Sequence, residues 1–176
     1  FALAEFRKKT SDMLCRMKQL ERYSLGTVTV KTQDSRFLDF IQDGSVTCGI
    51  TSPPYMNSFD YYLYHKLRMY WLGYNHYEVQ ESEIGSRNKH CDNGRGVDAY
   101  IDGISQVVEQ VYRKLMNQGY FCVVIGDSVY KGELIRMDEI YSQIARRAGF
   151  ITKEVFSFDQ RKYTRAFTPN LKTIDK

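Results

Sequence analysis

Residues 44–55 read GSVTCGITSPPY, and the fold turns on that stretch. Asp43-Gly44 is a turn signal, Val46 to Ile50 is a short apolar run, and Ser52-Pro53-Pro54-Tyr55 follows with almost no spacer. An apolar run of that length, bounded by Gly and Pro, predicts a buried strand that delivers a polar loop at its carboxyl end. Two successive prolines fix φ and remove two backbone N–H donors, so the carbonyls nearby face outward as acceptors. The Ser52 hydroxyl adds another acceptor, and Tyr55 adds a flat face for stacking.

Towards the C-terminus, residues 58–73 predict a helix crowded with aromatics, capped by Ser58 or Asp60 and stopped at Gly73. Their aromatics are expected mainly in the core. Residues 74–96 are polar, with glycines and mixed charge, and predict a long loop. Residues 98–117 place Ile101, Ile104, Val107, Val108, Val111 and Leu115 on one side of a helix closed by Gly119. The strand 120–125 is the most apolar in the chain and ends at Gly126-Asp127-Ser128. A helix over 137–148, stopped by Gly149, precedes an alternating strand over 151–158 and a basic, polar tail.

Towards the N-terminus, Phe37 to Ile41 predicts a short helix. Thr27-Val28-Thr29-Val30 alternates like a strand and leads into Gln33-Asp34-Ser35. Phe6, Met13, Met17 and Leu20 recur at near-helical spacing within 4–23, an amphipathic helix ended by Gly26. The expected organisation is an N-terminal helix over 1–24, a catalytic portion over 25–168 holding the loop 74–96, and a tail over 169–176. Strands alternating with helices argue for an α/β fold with a mostly parallel sheet and helices on both faces. Ligands of such sheets sit at the carboxyl ends of strands, and three loops there carry polar residues: Asp34, Ser52 to Tyr55, and Asp127-Ser128.

Composition limits the function classes. The chain has 176 residues, enough for one domain with a sizeable core, and a net charge of only +4, which does not by itself imply nucleic acid. No apolar run approaches a membrane span and no secretory leader is visible, so a cytoplasmic protein is expected. Cys15, Cys48, Cys91 and Cys122 form no C-x-x-C pair, and Cys48 and Cys122 are expected to be small buried hydrophobes in a reducing compartment. His65, His76 and His90 have no metal-ligand spacing with any cysteine, so no metal is expected. Arg87, Lys89 and Arg95 in the long loop, and Arg161, Lys162 and Arg165 beyond it, are candidate phosphate contacts; the plain alternative is a solvated surface.

Acceptors converging beside an aromatic plate suit an exocyclic amino group on a planar base. Such amines are poor nucleophiles because the lone pair is delocalised into the ring. Accepting hydrogen bonds from the amine favours a pyramidal nitrogen, so positioning and electrostatics suffice without a covalent nucleophile. A base inside a duplex must be flipped out to reach the loop. The stretch 44–55 resembles the catalytic motif of the DNA N4-cytosine and N6-adenine methyltransferases, in which Asp, Asn or Ser precedes Pro-Pro and an aromatic. The resemblance runs from about residue 25 to 168. TVTVKTQDSR, residues 27–36, resembles the family's third strand, whose terminal acidic residue, here Asp34, sits near the cofactor's adenine. GYFCVVIGDS, residues 119–128, resembles its fifth strand and polar loop. FDYYLYHKLRMYWLG, residues 59–73, and EIGS, residues 83–86, look like one bacterial subgroup.

The resemblance implies a Rossmann-like sheet, S-adenosylmethionine as methyl donor, and DNA as substrate. It implies catalytic roles for Ser52, Pro53, Pro54 and Tyr55, and cofactor contacts from Asp34, Ser52, Pro53 and Asp127. Serine in the first motif position leans towards N4 of cytosine, with N6 of adenine as the alternative. The family's glycine-rich loop after its first strand has no match here, nor has the acidic residue at the end of its second. In the family's sheet order (third, second, first, fourth, fifth, seventh, sixth) this chain supplies the third to sixth and lacks the first, second and seventh. A missing segment or second chain carrying the glycine-rich loop is therefore expected. Pairing of residues 27–31 directly beside 46–50 would contradict that. Three alternatives stay open: Ser-Pro-Pro-Tyr as a plain loop, Asp34 as a helix cap, and a non-catalytic half that binds DNA or a partner. Methyl transfer to RNA or to a protein amide keeps the chemistry and changes the substrate.

Overall fold

The computed structural model describes residues 1–20, 22–23, 26–56, 60–85, 96–130 and 132–157. The chain divides into two units, Phe1–Gln33 and Asp34–Lys176. In the first unit, helix α1 (Ala2–Leu20) buries no residue. The expected strand at 27–30 is absent: these residues have no ladder partner, and Val28 is 81% exposed. Alternation earns a strand only where a neighbouring strand accepts its N–H and C=O groups, and among the described residues none does.

The second unit is built on two parallel strands. Strand β1 (Val46–Thr51) pairs with β2 (Leu115–Val123) from Val46↔Leu115 to Thr51↔Val123. Between Val46↔Leu115 and Cys48↔Tyr120 the partner strand carries extra residues, a bulge in which Gln118 takes φ 63°. The pairing is prolonged at both ends, by Gly44 N to Arg113 O at 3.0 Å and by Val124 N to Thr51 O at 2.9 Å. Asp43 further ties the start of β1 to the end of the helix that precedes β2, accepting from Lys114 Nζ at 2.6 Å and Arg113 Nη2 at 3.2 Å.

Between the strands the segment 60–85 is more helical than expected. The single aromatic helix is two, α2 (Tyr61–Tyr64) and α3 (Lys66–Leu72), broken at His65, and Gly73 ends the second. Ser58 lies outside the described residues. Part of the expected loop is α4 (His76–Ser82), capped by the Asn75 side chain, which accepts from Tyr77 N at 3.1 Å. Among the described residues of the aromatic stretch only Tyr62 and Met69 are buried, whereas Tyr64, Leu67, Tyr70 and Trp71 face solvent. The expected helix at 37–41 is a pair of turns instead.

Helix α5 (Gly96–Lys114) begins and ends earlier than its apolar pattern predicts, because Leu115 already pairs with β1. After β2, an unforeseen antiparallel hairpin, β3 (Ser128–Tyr130) and β4 (Glu133–Ile135), leads into α6 (Met137–Ala148), which matches its expected range and is ended by Gly149. The core joins Tyr100, Ile104 and Val108 of α5 to Met137, Tyr141 and Ile144 of α6, with Phe121, Val123 and Ile125 packed against them.

Both helices cover one face of the sheet. On the other, Cys48, Ile50, Tyr120, Cys122 and Val124 are exposed, Ile50 at 76%. Helices on both faces and buried Cys48 and Cys122 are therefore corrected: a period of two sends alternate side chains to opposite faces, and only one is covered among the described residues. The expected strand at 151–158 is likewise exposed coil over 151–157, with Ile151 at 92%. No helix of the described residues is long and apolar enough to cross a membrane.

Candidate active site

The loop Ser52 to Tyr55 leaves β1 at Thr51, beside the carboxyl end of β2. Ser52 is exposed, while Pro53, Pro54 and Tyr55 are half-buried and Met56 is buried at 3%. Met56 enters the core, so the loop is anchored immediately after the tyrosine. The Ser52 Oγ and Tyr55 Oη lie 3.4 Å apart, which keeps both polar groups on the same side of the turn.

Side chains from other elements hold the loop's backbone. The Tyr100 hydroxyl of α5 donates to the Pro54 carbonyl at 2.9 Å, and the Ser128 hydroxyl of β3 donates to the Met56 carbonyl. Tyr100 Oη also lies 2.8 Å from Tyr141 Oη in α6. A phenol has one hydrogen, and that of Tyr100 goes to Pro54, so Tyr141 donates to Tyr100. Tyr100 is 1% exposed, and burial pushes its hydroxyl up to about 12; burial also pushes Tyr141 up, so both stay protonated donors at neutral pH.

A second brace comes from residues 83–85. Glu83 accepts from Tyr61 N at 2.8 Å and Tyr62 N at 3.3 Å, holding the start of α2 a few residues beyond the loop. Desolvation raises its carboxyl above the ordinary range despite those bonds. Ile84 packs over Gly103 of α5, and Gly85 lies against the Tyr100 ring. The motif at 83–85 thus supports the same tyrosine that holds Pro54.

The two acidic candidates are engaged elsewhere. Asp34 accepts from the Arg36 backbone N–H at 2.9 Å and pairs with its guanidinium, Nη2 to Oδ2 at 2.6 Å. The Arg36 hydrogen bonds hold the Asp34 carboxyl below the ordinary carboxylate range. It closes a turn rather than capping a helix, since Phe37 N returns to Asp34 O. Asp127 accepts from Met137 N at 3.2 Å at the start of α6 and stands 4.0 Å from Arg136. As a test of fit for S-adenosylmethionine, the described residues offer an acceptor-lined loop and the Asp127 carboxylate, which accepts one internal N–H and keeps lone pairs for a further donor, while Asp34 is engaged by Arg36.

Arg87, Lys89, Arg95, Arg161, Lys162 and Arg165, with His90, lie outside the described residues. His65 Nδ1 is 3.0 Å from Arg68 Nη1, and His76 is buried beside Tyr77 with ring centroids 4.0 Å apart. Among the described residues no group of His, Cys, Asp and Glu is arranged to hold a metal. Tyr100 and Tyr141 were not legible as site residues from chemistry-bearing motifs. A usable signal was there: Tyr100 shares the i, i+4, i+8 face of Ile104 and Val108, and a buried tyrosine hydroxyl needs a partner.

A family model described as DNA methylase, covering N6 and N4 enzymes, matches residues 46–173, from the start of β1 onward. No curated protein and no solved structure matches the chain.

Proposed function

Because the chain belongs to the N6/N4 DNA methylase family, we propose that it carries the target-amine side of a DNA methyltransferase that modifies cytosine at N4. The observation that supports this reading is the loop at the end of β1, where the Ser52 hydroxyl is exposed while the carbonyls of Pro54 and Met56 are held from behind. In this reading Ser52 Oγ and the Pro53 carbonyl accept the amine's N–H groups, and Tyr55 stacks on the flipped base. Those bonds draw the nitrogen lone pair out of the ring, so that it could take up a methyl group as the donor's S–CH3 bond breaks and S-adenosylhomocysteine leaves, the surplus proton passing to solvent. S-adenosylmethionine, the donor used in the family, supplies the electrophilic methyl group when bound.

The remaining parts are assigned by the same reading. Asp34 and Asp127 line the cofactor side, which requires each to take a ligand donor beside its internal ones. Arg87, Lys89, Arg95, Arg161, Lys162 and Arg165 contact DNA phosphates, and the protein acts in the cytoplasm. The glycine-rich loop comes from a further polypeptide segment. The reading also keeps residues 25–168 together as the catalytic portion. Methylation of adenine N6 is the second choice of base, and nucleoside analysis of methylated DNA separates the two.

The decisive variant is Ser52→Ala, assayed for methyl transfer with whatever segment completes the enzyme. Loss of one preorganised hydrogen bond lowers kcat by about 10²-fold with KM for DNA unchanged. Equal losses in turnover and in DNA affinity would contradict the assignment.

A further inference from the structure

We propose that Tyr100, oriented by Tyr141, and Ser128 are positioning residues that decide which carbonyls of the loop are open to the target amine. The inference rests on the methyltransferase reading above and adds to it how the loop is aimed. Two donors from two different elements hold carbonyls only two residues apart: Tyr100 of α5 takes Pro54, and Ser128 of β3 takes Met56. Tyr55 lies between the two clamps, so its backbone is held on both sides. Among the described residues, no hydrogen bond is made to the carbonyl of Ser52 or Pro53. The loop is therefore divided into carbonyls turned into the protein and carbonyls left for a ligand.

The arrangement has the depth that positioning requires. Tyr100 and Ser128 are buried, so both donors are shielded from water. The Tyr100 hydroxyl is itself fixed by Tyr141 at 2.8 Å, and Tyr141 comes from a different helix, α6. A donor locked by a second donor holds its acceptor in one place, whereas the hydroxyl hydrogen of an unbraced tyrosine can rotate about its Cζ–O bond. None of the three side chains has to touch the reacting atoms.

The test uses the active enzyme with Tyr100→Phe, Tyr141→Phe and Ser128→Ala. The chain has three prolines, so selective carbonyl ¹³C labelling of proline gives three resonances. Tyr100→Phe keeps the ring and its packing and should shift the Pro54 resonance alone. It should also lower kcat about 3- to 10-fold, with KM for DNA and for S-adenosylmethionine unchanged. Tyr141→Phe should move the same resonance less and cost less turnover, and Ser128→Ala should lower kcat without moving Pro54. A Pro54 resonance that ignores Tyr100→Phe overturns the proposal, as does a shifted resonance with unchanged kcat. Parallel losses in kcat, both KM values and melting temperature would reduce Tyr100 to a packing residue and overturn it as well. Wild-type enzyme that methylates no DNA base sinks the methyltransferase reading itself, a result that the variants cannot imitate.

Discussion

Gly85→Ala is the sharpest perturbation of the link between the 83–85 motif and the loop. Gly85 has φ +86°, where an alanine is strained by about 1–2 kcal/mol. Its added Cβ would stand 3.0 Å from Tyr100 Cδ2, 3.2 Å from Cε2 and 3.7 Å from the Met56 Cα. Tyr100 is buried and its hydroxyl is committed to Pro54 and Tyr141, so the ring cannot give way without breaking a hydrogen bond. Overpacking of that kind adds about 1–3 kcal/mol, for a total of roughly 2–5 kcal/mol. Gly44→Ala is the control, because Gly44 has φ +65° with nothing within 4 Å of its would-be Cβ. It should cost the strain alone, about 1–2 kcal/mol. Urea unfolding of both variants then isolates the clash as the difference between them, about 1–3 kcal/mol. Equal stabilities for the two variants would refute the claim that Gly85 exists to admit the Tyr100 ring.

Ile104→Ala empties the centre of the α5–α6 core and should cost about 2–5 kcal/mol, read as a lower denaturant midpoint with unchanged slope. The Asp34 carboxyl is held below its ordinary value by Arg36, so the pair contributes its stability above the unfolded-state value of about 3.9 and loses it as pH falls through the depressed folded value. Carboxyl ¹³C titration of Asp34 should therefore give a midpoint below that of a free aspartate, and Arg36→Gln should bring it back; an unmoved midpoint would mean that the pair does not form in solution.

The chemistry of this chain was written locally, and so it could be read locally. An apolar run that ends in two prolines can only leave the sheet there, which placed Ser52 to Tyr55 at a strand's carboxyl end before any coordinates. The helix at 137–148 was equally plain, because its 3.6-residue period and Gly149 stop agree with each other. The strands expected at 27–30 and over the described 151–157 were misread for one reason. Alternation states that a segment is suited to a sheet, but a strand exists only when a neighbour satisfies its backbone, and that neighbour is a tertiary fact. The burial of Cys48 and Cys122 failed in the same way, since an apolar side chain is covered only if something lies over its face. The division of the loop into held and open carbonyls was invisible for a different reason. Tyr100, Ser128 and Tyr141 stand 46, 72 and 41 positions from their respective partners Pro54, Met56 and Tyr100. Sequence determined which acceptors the site owns; the packing of α5, β3 and α6 decided where they point, because only side chains brought in from afar can hold a carbonyl that prolines have left unpaired.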